Sequence, residues 1–231
     1  LFCPEQPDLN WRNPVVADEV DRILEHWLAR GLDGFRIDTA AYLVKHADLP
    51  DNPLLAPGEL LPLHGVQIDW RRQEHRYDIH QPDVHAIHER WRQVADRHDA
   101  FLVGEVYVLD PAALAAYVDG ERLHSSFWFG LVEGDWDPHR FHDMLLAAAQ
   151  ASPRLSWVQG NHDRARAASR YGGGELGRRR SLALLALVSF LPGTLWIYQG
   201  EELGLPDGIV PVGQGADPLA LREPGQSRDA A

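Results

Sequence analysis

Three short stretches of the chain end in acidic residues with charged or polar companions. Gly34-Phe35-Arg36-Ile37-Asp38 sets a guanidinium and a carboxylate two residues apart among apolar neighbours. Phe101-Leu102-Val103-Gly104-Glu105 ends in a second carboxylate, and Leu155-Ser156-Trp157-Val158 leads into Asn161-His162-Asp163. Side chains alternate along a strand, so Arg36 and Asp38 share a face. Charges placed together on a buried strand need a partner or a task. Carboxyl groups in different surroundings divide labour: one kept ionised beside a cation attacks or stabilises positive charge, and one in a drier place keeps its proton and donates it. Glycoside hydrolysis uses that division. A divalent metal site would also gather carboxylates, although Arg36 beside a ligand carboxylate opposes a cation. A structural ion pair is the plainest alternative.

The elements that must position these residues follow from periodicity. Asn13 and Pro14 mark a helix start, and Val16, Val20, Ile23, Leu24 and Trp27 continue at helical spacing until Gly31. Asp83 is set to cap a helix with Val84, Ile87, Trp91 and Val94 on its apolar face. Asp110-Pro111 opens a short helix, and Asp137-Pro138 opens another, with Phe141, Met144, Leu145 and Ala148 facing inward. Strands are predicted at 34–38, 101–105, 123–132, 155–158 and 194–198. A Gly- and Arg-rich loop over 164–180 leads to a buried helix over 181–191. Residues 46–81, rich in Pro, Asp and His, form a long excursion of the kind that carries binding function. Alternating strands and helices argue for a parallel sheet, open or closed, and both forms place chemistry at the carboxyl ends of the strands. Asp38, Glu105 and Asp163 fall there.

Composition sets bounds on this reading. The 231 residues are 45% hydrophobic and 24% charged, as expected of a globular domain with a substantial core. A formal net charge of −12 argues against nucleic acid as a partner. The single cysteine, Cys3, rules out an internal disulfide and fits a reducing compartment. The apolar run from Leu182 to Leu191 is too short to span a bilayer. We therefore expect a cytoplasmic protein with no membrane partner, although the start at Leu1 leaves a leader segment open.

The three acidic stretches, taken with Gln6-Pro7-Asp8-Leu9-Asn10, resemble the α-amylase family of glycoside hydrolases, in its α-glucosidase and oligo-1,6-glucosidase branch. Gly34–Asp38 resembles the nucleophile strand and Val103-Gly104-Glu105-Val106 the acid/base strand. Trp157-Val158-Gln159-Gly160-Asn161-His162-Asp163 resembles the strand bearing a third carboxylate. The resemblance implies a (β/α)8 barrel and retaining cleavage of α-glucosidic bonds, with an α-glucoside oligosaccharide as substrate and no cofactor or metal. It casts Asp38 as nucleophile, Glu105 as general acid/base and Asp163 as transition-state stabiliser. Arg36 would keep Asp38 ionised, His162 would hydrogen-bond the bound sugar, and Thr39, next to the nucleophile, would favour α-1,4 over α-1,6 links. It further implies that residues 1–231 are a partial catalytic barrel lacking its first strands and the C-terminal β-domain, so that the piece by itself is expected to be inactive. Trp128 departs from the family, where asparagine often stands between the two phenylalanines. A transglucosylase, such as a trehalose-forming isomerase, would use the same residues. A non-catalytic relative would lose members of the carboxylate set, which is intact here.

Other features suggest less specific roles. His75, His80, His85 and His88 lie close in sequence, but no cysteine or glutamate completes a metal-ligand spacing, and solvent or packing roles are expected. Arg178-Arg179-Arg180 reads as a solvated run, and Gly172-Gly173-Gly174 as a mobile loop beside the site. Trp70, Trp128 and Trp136 are candidates for stacking on sugar rings.

Overall fold

The computed structural model describes residues 7–61, 68–209 and 211. In chain order its elements are α1 (Pro14–Leu28), β1 (Gly34–Ile37), α2 (Ile68–Arg71), α3 (Val84–Asp96), β2 (Phe101–Gly104), α4 (Pro111–Ala115), β3 (Ser125–Trp128), α5 (Pro138–Ala151), β4 (Leu155–Trp157), α6 (Ala167–Arg170), α7 (Gly174–Val188) and β5 (Thr194–Leu195). The chain forms two compact units, Leu1–Pro53 with Glu74–Phe127, and Leu54–Gln73 with Trp128–Ala231. The excursion at 46–81 is thus shared: its middle belongs to the second unit and its ends to the first.

In the first unit β1 pairs parallel with β2, from Gly34 opposite Phe101 to Ile37 opposite Gly104. β2 pairs parallel with β3 through Val103–Ser125 and Gly104–Ser126. Helix α1 starts as its sequence dictates. The Asn13 side chain accepts from the Val15 N–H at 3.1 Å, and Pro14 occupies a first-turn position where no N–H is needed. Its core face is Leu24 and Leu28, while Ile23 and Trp27, part of the same helical spacing, are exposed. α1 packs on α3, and Arg90 of α3 reaches back to Asp18 and Asp21, each at 2.6 Å. α3 buries Val84, His88, Trp91, Val94 and Ala95, with Ile87 only half-buried. Asp83 does not cap this helix: its backbone is already helical, and its carboxylate instead accepts from Arg12 Nη1 at 3.0 Å. Fully buried Leu102, Leu114 and Leu123 complete this core, each contributing about 1.5–3 kcal/mol.

In the second unit β4 and β5 pair parallel through Ser156–Thr194 and Trp157–Leu195. Trp128 and Trp157 meet edge to face at 5.8 Å, and Trp136, Phe141 and Tyr171 form a ring cluster. Asp137 caps α5 by accepting from the His139 and Arg140 N–H groups. α5 buries Phe141, Leu145 and Ala148, while Met144 is only half-buried.

Several sequence expectations change. The strand expected over 123–132 stops at Trp128 and becomes a 3-10 turn, Phe129–Leu131, held by the Tyr171 hydroxyl donating to Leu131 O at 2.8 Å. The last strand is shorter than 194–198, because the Tyr198 N–H turns to the Glu201 carboxylate at 3.0 Å. The loop expected over 164–180 is mostly helical. Gly172, Gly173 and Gly174 take positive φ and reverse the chain between α6 and α7, so the long helix starts seven residues earlier than read. The arginine run lies on α7, where Arg179 pairs with Glu175 at 2.9 Å and Arg180 lies over Trp136. Trp70 and Trp128 are buried and offer no face for stacking, whereas Trp136 is half-buried, meeting Phe141 and Tyr171 edge to face. Among the described residues no helix is long and apolar enough to cross a membrane.

Candidate active site

Alternation along β1 puts Arg36 and Asp38 on one side, as the sequence requires, although the strand is half-exposed rather than buried. The guanidinium is shared. Arg36 Nη1 donates to Asp38 Oδ1, and Nη2 donates to Glu105 Oε2 at 2.8 Å. The strand ends are also tied through their backbones: Glu105 N–H donates to Ile37 O at 2.8 Å, and Ala40 N–H donates to Glu105 O at 2.9 Å. Between them Thr39 adopts φ 45°, a left-handed conformation that is strained for a β-branched residue and typical of functional turns. That turn aims the Thr39 N–H at Glu105 Oε2, 3.3 Å away.

The two carboxyl groups differ in their surroundings. The Asp38 side chain is 68% exposed and that of Glu105 11%. Burial pushes Glu105 up to about 7. The Arg36 charge opposes this, hydrogen bonding to Asp38 and its negative charge add to it, and the Thr39 N–H opposes it slightly. Glu105 therefore holds its proton until the pH approaches about 7, although a guanidinium touches it.

The second unit carries the remaining candidates at the carboxyl end of β4. The Asp163 N–H donates to Asn161 Oδ1 at 3.1 Å, and His162 Nε2 lies 3.5 Å from Asp163 Oδ1. Beneath this turn is a buried polar group absent from the sequence reading. Arg170 Nη2 donates to Gln159 O, and Glu201, 2% exposed, is pushed up to about 7 by burial. Its only sequence signal is an acidic residue just past the last strand, at Gly200-Glu201. Gln6 of the amino-terminal motif, Cys3 and the carboxyl-terminal segment from Val212 lie outside the described residues, whereas Asp8 of that motif pairs with Lys45 at 3.2 Å. Among the described residues no group of three His, Cys, Asp or Glu side chains is placed to hold a metal ion.

Parallel strands alternating with helices, with Asp38 and Glu105 at the carboxyl ends of β1 and β2 joined by Arg36, define a β/α protein with a paired-carboxylate cluster. The chain belongs to the α-amylase catalytic-domain family, whose model matches residues 1–230. It is 34% identical to an oligo-1,6-glucosidase of Parageobacillus thermoglucosidasius, over 89% of this chain and 38% of that protein. It is 33% identical to a probable α-glucosidase of Rhizobium meliloti (strain 1021), over 96% of this chain and 42% of that protein. The solved structure of an α-glucosyl transfer enzyme, XgtA, matches with a TM-score of 0.90 at 30% identity, covering 99% of this chain and 44% of that one. The chain thus spans less than half the length of these relatives. Its fold is that of a partial (β/α)8 barrel.

Proposed function

We propose that this chain carries the nucleophile and the general acid/base of a retaining α-glucosidase acting on maltose-type oligosaccharides. The observation that carries the reading is the arginine-bridged pair: an exposed Asp38 beside a guanidinium, and a buried Glu105 whose proton is held to about pH 7. Inverting enzymes separate their carboxyl groups by roughly 6.5–9.5 Å to seat a water between them. One guanidinium touches both Asp38 and Glu105, which holds the two carboxyl groups close together and supports retention. In this reading Asp38 attacks the anomeric carbon as Glu105 protonates the departing oxygen, and Glu105 then takes a proton from the incoming water. Asp163 stabilises the oxocarbenium-like transition state, and His162 hydrogen-bonds the sugar. The names of the α-glucosidase relatives point the same way. Likeness to an α-glucosyl transfer enzyme favours a second reading, transfer of the glucosyl group to another sugar.

Products of the full-length protein on maltose and isomaltose separate these readings, and Thr39 sharpens the test. Thr39→Val keeps the β-branch, and with it the backbone strain, but removes the hydroxyl. A neutral hydroxyl contact is worth about 0.5–1.5 kcal/mol, so the maltose-to-isomaltose ratio of kcat/KM is expected to fall several-fold in the variant. Free glucose as the main product from maltose supports hydrolysis, and new disaccharides or trisaccharides support transfer. A wild type that prefers isomaltose, unchanged by Thr39→Val, would remove the α-1,4 assignment.

A further inference from the structure

We propose that His88 is a positioning residue for the active site: it latches the strained turn that carries Asp38 and Thr39 by donating a hydrogen bond to the carbonyl of Ala40. The inference rests on the reading of Asp38 and Glu105 as the reacting pair.

His88 lies on the inner face of α3, in register with Val84, Trp91 and Ala95, and is fully buried. An apolar residue would suit that stripe without the cost of enclosing an imidazole. The ring earns its place through one contact, Nε2 to Ala40 O at 3.0 Å. A carbonyl can only accept, so the proton is on Nε2. Among the described residues Nδ1 has no hydrogen-bond partner. The rings around the imidazole are those of His85, Trp91 and Tyr117. Burial pulls the pKa of His88 down to about 4, so near neutrality the ring is an uncharged donor.

Ala40 is where this contact acts. It is fully buried, its N–H is held by Glu105 O at 2.9 Å and its carbonyl by His88. Residue 40 is therefore clamped from the β2 end on one side and from α3 on the other. Thr39, at φ 45°, precedes the clamp, and Asp38 precedes Thr39. Without the latch the Ala40 carbonyl is orphaned in the core, and the turn gains the freedom to relax toward ordinary backbone angles. Relaxation would shift both Asp38 and the Thr39 N–H that meets Glu105.

The test compares His88→Leu, which removes the donor, with His88→Gln, which supplies an amide N–H, in the full-length protein. His88→Leu is expected to lower kcat on maltose by about 10–100-fold, with KM changed far less, since small displacements of a reacting group are costly. His88→Gln is expected to recover most of the loss. Amide hydrogen exchange gives a readout independent of activity. Thr39 and Ala40 amides should exchange faster in His88→Leu than in wild type or His88→Gln, with the amides of Leu102, Val103 and Gly104 as the measure of general loosening. Equal losses in both variants, or unchanged exchange at residues 39 and 40 in His88→Leu, would overturn the latch. A wild type inactive on α-glucosides would sink the functional reading instead, and the exchange comparison would still decide the latch.

Discussion

Replacing Asp38 with glycine in the full-length protein is expected to lower kcat on maltose by on the order of 10⁴-fold or more, the scale seen when a covalent nucleophile is lost. The side chain is exposed and its partner Arg36 keeps Glu105 as a second partner, so the fold should survive the change. Azide can occupy the space vacated by the carboxylate. Attacking the α-glucoside directly, it should yield β-glucosyl azide, with inverted configuration. Formation of the α-azide by this variant would show that Asp38 is not the nucleophile.

Replacing Glu105 with glutamine is expected to reduce kcat on maltose by about 10²–10⁴-fold, the usual range for a general acid/base. The loss in kcat/KM, which reports the first half-reaction, should be much smaller on p-nitrophenyl α-glucoside, whose leaving group departs with little help from an acid, while kcat stays low because hydrolysis of the ester still lacks its base. Azide added to this variant should intercept the glucosyl ester of Asp38 from the opposite face and give α-glucosyl azide, so the two variants are told apart by product stereochemistry. The pH profile supplies a further check. In the proposed mechanism Glu105 acts first as an acid, and it is pushed up to about 7, so wild-type kcat/KM should fall as the pH rises through that value. The fall should be absent in Glu105→Gln. A wild-type basic limb that persists unchanged in the variant would assign that limb to another group.

Much of this site is legible in sequence because strand alternation is a strict rule. Arg36 and Asp38 had to share a side, and the acidic residues had to fall at strand ends. The sharing of Arg36 with Glu105 was not legible, since it depends on the register of β1 against β2. The burial of His88 was recoverable in principle: it stands four residues after Val84 and three before Trp91, on the apolar stripe of α3. A histidine reads as polar, and the stripe was assigned to Ile87 instead. On α1 the apolar spacing takes in Ile23 and Trp27, which are exposed, as well as Leu24, which is buried with Leu28. Apolarity marks what can be buried, and only the packing partner decides which flank of the stripe is. The start of α7 is not legible in sequence, where three successive glycines read as a flexible loop. They form a tight reversal between two helices.

The divided guanidinium of Arg36 has a consequence for timing. In the free enzyme its charge faces two carboxyl groups, and the anionic Asp38 raises the proton affinity of Glu105. On the proposed reading, formation of the glucosyl ester cancels the Asp38 charge. The guanidinium then faces Glu105 alone, and the neighbour that had favoured its proton has become neutral. Glu105, a donor in the first half of the cycle, thereby becomes a carboxylate suited to accept a proton from water in the second. The exchange of roles needs no moving loop, because the covalent bond itself resets the acid, and each half-reaction prepares the electrostatics of the next.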